Sequence, residues 1–457
     1  MNDKMKKTGI LLAASCLLNG CGIYSHYSRP DLEIDTDSLY RDTVVADTSS
    51  IATKSWREIF TDKHLQTLIA KGIERNTDLG IARLQVEEAQ AVLMNARLSY
   101  LPSLNLTPQA GISHYDGQTK RTYNLGVSAT WEADIFGKVS NAKRGAGAAL
   151  EQSRAYARAI QTQLVATIAE SYCTLLMLDT QLAISEETLG NWDETITTLK
   201  ALSEAGRTNE VAVHQAQASR TALEASLLSI RRSIRETENS LSALLKETPH
   251  AILRGRLEEQ QLPEDLAIGV PVQLLSNRPD VQQAEAALAE AFYATRSARA
   301  AFYPEITLSG TLGWTNNGGG AILNPGRWLS SAIAQLTAPL FNKGTNLANL
   351  KIAKARQEEA VLCFEQVLLD AGNEVNDALT EWQTADRRIQ LDCQQIEDLE
   401  AATEKTRLLV CYTSASYLEV LTAQQSLLNA RMVLAQDRTA RIQGVIHLYH
   451  ALGGGTE

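Results

Sequence analysis

The chain has 457 residues and a formal net charge of −10, an acidic balance that argues against nucleic acid as a partner. It holds no P-loop, no GxSxG and no HExxH pattern, so the expectation is not an enzyme, with no cofactor and no bound metal. Any energy for its work must come from another protein.

Lys4, Lys6 and Lys7 precede the apolar run Ile10-Leu11-Leu12-Ala13-Ala14-Ser15-Cys16-Leu17-Leu18, the pattern of a secretory signal over 1–20. The run is too short for a stable membrane span. Removing it takes away three Lys and one Asp, which moves the net charge to −12. The signal ends at Leu18-Asn19-Gly20-Cys21-Gly22, which resembles a bacterial lipobox, making Cys21 the expected lipidation site. A chance cysteine beside a signal peptidase site is the alternative. Cys173, Cys363, Cys393 and Cys411 sit singly in helical patterns, so no disulfide framework is expected and burial as small hydrophobes is.

Farther along, the chain repeats itself. Asn76-Thr77-Asp78 opens a run ending at Tyr100-Leu101-Pro102, and Asn277-Arg278-Pro279-Asp280 opens one ending at Phe302-Tyr303-Pro304, with a constant offset of 202 that also aligns Ala82 with Ala284 and Glu88 with Glu290. A period this long marks complete structural halves rather than a solenoid. Alanines seven apart (Ala82, Ala89, Ala96; Ala284, Ala291, Ala298) suit close helix packing, although Ala is also simply a good helix former.

After each such helix the period changes to strict alternation. Leu104 to Ser113 and Tyr123 to Glu132 read as one pair of strands around Asp116-Gly117-Gln118. Ile306 to Trp314 and Ala332 to Leu340 read as a second pair around Asn316-Asn317-Gly318-Gly319-Gly320. One face is apolar and the other mostly polar, and Tyr100, Tyr115, Tyr123, Trp131, Tyr303, Trp314 and Trp328 lie near strand ends. Strands of about ten residues fit a membrane barrel; a soluble sandwich is the rival. Four strands cannot close a barrel, and an open sheet in lipid leaves backbone groups unpaired, so the membrane reading requires oligomerisation. Three chains would supply twelve strands.

The segments 141–202 and 346–411 are almost free of Gly and Pro, long enough for helices of roughly 90 Å. Such helices pack side by side in a bundle or coiled coil. His447 and His450 share a helix face at i, i+3, but no carboxylate or cysteine stands beside them in sequence, so a packed or exposed helix end is expected rather than a metal site.

With these features in place, Trp56-Arg57-Glu58-Ile59-Phe60-Thr61-Asp62, Trp131-Glu132-Ala133-Asp134-Ile135-Phe136-Gly137-Lys138, Asn277-Arg278-Pro279-Asp280-Val281, Pro339-Leu340-Phe341, Tyr417-Leu418-Glu419-Val420-Leu421 and Gln443-Gly444-Val445-Ile446 carry a resemblance. The chain resembles the TolC-like outer membrane efflux family, in particular its lipoprotein NodT-, CusC- and OprM-like branch, over nearly all of the mature sequence. The resemblance implies a protein that is mainly α with a transmembrane β part, internally duplicated: long helical hairpins (an α-barrel or coiled coil) plus four β-strands per chain that form a 12-stranded barrel in a homotrimer. It implies a lipid-anchored, membrane-spanning protein of the outer membrane with a large periplasmic part, docked on a periplasmic adaptor (membrane fusion protein) and an inner-membrane RND-type pump. A duct for type I protein secretion shares the fold, and a coiled-coil surface lipoprotein is a further alternative.

The expected organisation is a signal peptide over 1–20, an N-terminal segment over 21–75, a first repeat over 76–247 with β-hairpin about 104–132 and helical tip near 206, and a linker over 248–276. A second repeat follows over 277–450, with β-hairpin about 305–340 and tip near 414, then a tail over 451–457. By the resemblance the tips meet the adaptor, which assigns Gly206, Arg207 and Thr208 in the first and Tyr412, Thr413, Ser414 and Ala415 in the second. The second turn departs from the family pattern: it has no glycine and is two residues short before Val420. Glu419 matches a position that in some members faces the pore entrance, where three copies would form an acidic ring. A surface Glu paired along its helix is the alternative.

Overall fold

A computed structural model describes residues 25–32, 34–35, 39–40, 50–261, 274–316, 327–412 and 417–456. In chain order the helices are α1 (Trp56–Ile59), α2 (Lys63–Arg75), α3 (Thr77–Leu98), α4 (Lys138–Glu204), α5 (Glu210–Leu244), α6 (Leu274–Asn277), α7 (Pro279–Ala300), α8 (Thr345–Tyr412) and α9 (Tyr417–Ala451). The strands are β1 (Ser103–Leu106), β2 (Gln109–Tyr115), β3 (Gln118–Ala133), β4 (Glu305–Thr315) and β5 (Arg327–Thr337). Two compact units result. One is built from Leu84–Ala155 and Gln283–Gln366, and the other from Ile34–Arg83, Tyr156–Gln282 and Val367–Glu457, with the described N-terminal residues up to 32 in the first.

The first unit carries one antiparallel sheet in the order β1-β3-β4-β5, with β2 also on β3. The single strand expected from Leu104 to Ser113 is thus two segments. Leu106 faces Val127 and Gln109 faces Asn124, so both keep one register and no residue is skipped. Pro108 sits at the break because it has no N–H to give to a ladder. The hairpin closes at Asp116 (φ 49) and Gly117 (φ 70) between paired Tyr115 and Gln118. Two consecutive positive φ values are what a type I′ turn needs, and Asp-Gly accommodates them.

β5 starts at Arg327 rather than near Ala332, because Trp328 pairs with Trp314 and packs edge to face on it, centroids 5.4 Å apart. It ends at Thr337, short of the expected 340, ahead of Pro339. The expected glycine loop from 317 onward lies outside the described residues. Helix packing within this unit runs through Thr295, whose hydroxyl donates to Ala353 O at 3.0 Å, and through Asn346, which donates to Ala301 O at 2.8 Å.

Both long helices are continuous, 67 residues in α4 and 68 in α8, and each is roughly 100 Å long. In the second unit Trp192, Ile196 and Leu199 of α4 pack with Val213, Ala216 and Leu223 of α5 and Leu421 and Leu428 of α9. Burying such side chains is worth about 1.5–3 kcal/mol each, which holds the hairpin arms together. Of the isolated cysteines Cys173 is buried as expected, whereas Cys363 and Cys393 are exposed: each falls on the outer stripe of a helix whose packed face is set by Phe364, Leu368 and Val375 or by Ala385. No helix among the described residues is long and apolar enough to cross a membrane.

Candidate functional site

Two places carry the features singled out in the sequence, the sheet and the hairpin turns. On the sheet, Leu104, Leu106 and Ile112 on one edge and Ile333 and Leu336 on the other are between 58% and 76% exposed. Among the described residues both outer edges, β1–β2 and β5, pair on one side only. At the corner into α4, the Asp134 carboxylate accepts from Val139 N at 2.9 Å and Ser140 N at 2.7 Å, an N-terminal cap that also suits the helix dipole. Lys138 bridges Glu132 and Glu305, and Phe136 stacks on Tyr303 at 4.9 Å.

The first hairpin turn is resolved in detail. Gly206 has φ 71, its N–H donates to Ser203 O at 2.9 Å, and Arg207 N donates to Leu202 O at 2.9 Å. That pair of bonds is a Schellman ending, which favours glycine at the left-handed position. Asn209 then caps α5 through Ala212 N. Gly206 and Arg207 are exposed and Thr208 is half-buried, so the turn presents a surface rather than filling a core.

Thr413, Ser414 and Ala415 of the second turn lie outside the described residues, as does Cys21, and Tyr412 is described only as the last residue of α8. The connection there is four residues long, against five in the first hairpin. Because α8 is one residue longer than α4, the hairpins 138–244 and 345–451 both span 107 residues, so, against the expectation, the second is not two residues short before Val420: the shorter connection is made up by the longer helix. Val213 and Val420 occupy the fourth position of their helices and are both buried. Glu419, one residue earlier, is exposed.

The helices also hold clusters that the sequence did not reveal. His447, expected to lack acidic neighbours, has Nδ1 2.7 Å from Glu381 of α8 and Nε2 3.2 Å from Glu170 of α4. The hydrogen bond to Glu170, together with Glu381, outweighs burial and pushes the imidazole up to about 9, so it stands as a cation between two carboxylates. Nothing in the local sequence signals this, because the partners are hundreds of residues away or on another helix. Among the described residues no group of His, Cys, Asp and Glu is arranged to hold a metal ion.

The Asn277-Arg278-Pro279-Asp280 motif acquires a physical role. Arg278 is 3% exposed, pairs with both Asp280 and Glu374, and donates to Ala451 O at 2.8 Å. Burial raises the Asp280 carboxyl, but the Arg278 guanidinium more than offsets it and holds the group below the usual carboxylate range.

The family described as Outer membrane efflux protein matches residues 68–246 and 270–454. A cation efflux system protein, CusC, of Escherichia coli O6:H1 is 31% identical over 450 residues, 96% of either chain. A probable outer membrane lipoprotein, SilC, of Salmonella typhimurium is 29% identical over 454 residues, again 96% of each. Among solved structures, the open state of the MtrE outer membrane channel of Neisseria gonorrhoeae superposes with a TM-score of 0.86 at 27% identity, covering 95% of this chain and 98% of that one.

Proposed function

Since the chain belongs to the outer membrane efflux protein family, we propose that it is the exit duct of a tripartite efflux pump, passively conducting small molecules or ions from the periplasm to the exterior. The observation that carries this reading is the four-position sheet with two free edges and exposed apolar residues, joined to two long helical hairpins. In hydrocarbon each unpaired backbone group costs several kcal/mol, so the sheet is usable there only when copies close it.

In this reading three copies pool twelve strands into one barrel, and the hairpins continue the wall as a tube. The internal duplication supports it. α3 and α7 each have 22 residues and start 202 apart, while the helical hairpins start 207 apart and have equal span. The repeats correspond to 76–247 and 277–450, separated by the segment 248–276. A signal over 1–20 exports the chain, and Cys21 carries a palmitate-bearing lipid at the outer membrane; the lipoprotein designation of SilC supports the anchor.

Gly206, Arg207 and Thr208, with Tyr412 to Ala415, meet a periplasmic adaptor that connects to an RND-type pump of the inner membrane. Glu419 from three copies lines the entrance and favours cations. The name of CusC, a cation efflux protein, supports ions among the cargo, while selection is left to the pump.

Purified protein reconstituted in planar bilayers tests the proposal. Stepwise ion conductance from a particle with the mass of three copies is the expected result, and a detergent-independent single-copy particle without conductance would overturn it. For the anchor, labelled lipid is expected to enter the parent and not Cys21→Ala; label retained in that variant excludes Cys21 as acceptor.

A further inference from the structure

We propose that the two free edges of the sheet join copy to copy in one definite register, in which Thr337 faces Thr107 of the next copy, Gln335 faces its Gln109, Ile333 its Gly111 and Ser331 its Ser113. The register rests on the closure of the sheet between copies and adds what that reading leaves open, namely which residue meets which.

It follows from the pairings inside one chain. Strand residues of β1 and β4 correspond at the offset of 202, as Leu106 and Leu308 do. β1 pairs with β3 so that Leu106 faces Val127, and β4 pairs with β5 so that Leu308 faces Ala334. Residues of β3 and β5 therefore correspond at an offset of 207, the same value that separates the starts of α4 and α8 and the positive-φ glycines Gly137 and Gly344 that precede them. The junction between the two halves is the β3–β4 ladder, where Gly126 faces Gly313 and Asn124 faces Thr315. Transferring that junction from β3 and β4 to β5 and β1–β2 gives Ile333 opposite Gly111 and Ser331 opposite Ser113.

Three independent features agree. Opposed residues share a face, and this register sets Ala332, Ala334 and Ala338 against Ile112, Ala110 and Leu106 while matching Thr with Thr, Gln with Gln and Ser with Ser on the other face. A slip of one residue would put Ala332, Ala334 and Ala338 against residues of the polar face, leaving only Ile333 opposite an apolar side chain. At the internal junction the backbones approach so closely that a Cβ on Gly313 would lie 2.5 Å from Gly126 Cα. Its counterpart at the outer edge pairs Gly111 with Ile333, which is 58% exposed in the single chain and so has its space opposite the residue without a side chain.

The bonding parity also fits. Thr107 N donates inward to Gly126 O at 3.0 Å, so the odd-numbered residues of this strand bond to β3 and the even-numbered ones face the outer edge. Ser113 and Ser331 are then a non-hydrogen-bonded pair, whose Cα atoms sit about 4.5 Å apart in such ladders, within the roughly 4.4–6.8 Å span of disulfides.

Full-length protein in outer-membrane fractions, with Cys363, Cys393 and Cys411 changed to Ser, provides the test. Ser113→Cys together with Ser331→Cys is expected to give covalent dimers and trimers on mild oxidation, reversed by thiol reduction, with neither single variant doing so. Control pairs shifted by two residues, Ser331→Cys with Gly111→Cys or with Tyr115→Cys, are expected to cross-link far less. Preferential cross-linking of a shifted pair, in a particle whose native mass is that of three copies, overturns the register and leaves the assembly standing. A single-copy native mass with no cross-link in any pair overturns both.

Discussion

Arg278 reaches the carbonyl oxygen of Ala451 at 2.8 Å, tying the start of α7 to the last turn of α9. Its counterpart 202 residues earlier is Asn76, which donates to Leu244 O, the last turn of α5, at 3.0 Å. Two different side chains thus close the same kind of contact in each half. Arg278 carries more, because it also holds Asp280 and Glu374 and is almost fully buried. Arg278→Ala is expected to lower stability by about 2–4 kcal/mol, since it leaves carboxylates without their cation and a carbonyl without its donor. Arg278→Lys should recover only part of the loss, as one ammonium cannot reproduce the fork. Denaturant unfolding of both variants in detergent checks this, and equal stability of Ala and Lys variants would contradict it.

The Glu170–His447–Glu381 clasp links three helices of the second unit through one cation. Its imidazole is raised to about 9 from an ordinary 6.5, so the clasp contributes stability that is complete below about 6.5 and is lost as pH rises through 9. The expected outcome is a fall in melting temperature between pH 7 and 10 in the parent that is flattened in His447→Gln. Identical alkaline profiles for the two proteins would remove the clasp from the account.

How much of this was legible beforehand depends on how far apart the interacting residues lie. Asp116-Gly117 announces its turn because a type I′ hairpin is decided by two adjacent residues, whereas Gly206 is placed at a tip by the resemblance alone and its left-handed backbone comes from the structure. The offset of 202 was readable because it is a pattern within one string. Pro108 reads as an ordinary strand residue because alternation of side chains says nothing about which N–H a ladder needs. His447 shows no acidic neighbours in the sequence because Glu170 and Glu381 arrive from other helices, and their approach is a product of packing. Arg278 stood out as a motif, yet its partners Glu374 and Ala451 could be named only from the fold.

Gly206 makes a local prediction at the first tip. A Cβ there meets nothing within 4 Å, so the only penalty of Gly206→Ala is the left-handed backbone at φ 71, about 1 kcal/mol. Asn tolerates that region better and should lose less. Amide exchange at 203–209 is expected to quicken in the order parent, Asn, Ala, while the rest of α4 and α5 stays protected. Uniform protection across the three proteins would mean the Schellman ending is not what holds the turn.

Asp392 of α8 and Asp437 of α9 give a pH dependence of the same sign in a lower pH window. Asp392 is 9% exposed, its Oδ2 is buried with no hydrogen-bond partner among the described residues, and the carboxyl of Asp437, itself 6% exposed, stands against it. Burial first, then the Asp437 carboxylate, pushes the Asp392 carboxyl up to about 6, against a smaller opposing pull from Arg388, which bonds Asp437 at 3.0 Å. A carboxyl whose folded value exceeds its unfolded 3.8 favours the folded state when protonated, so this contribution is complete below about 3.8 and is lost as pH rises through 6. Asp392→Asn keeps the shape and removes the charge. It is therefore expected to be more stable than the parent at pH 7 to 8, with the difference shrinking as pH falls below 6 and vanishing near 4. Melting temperatures of the two proteins across pH 4 to 8 measure this, and a constant difference over that range would show that protonation of Asp392 does not govern the contact between the helices.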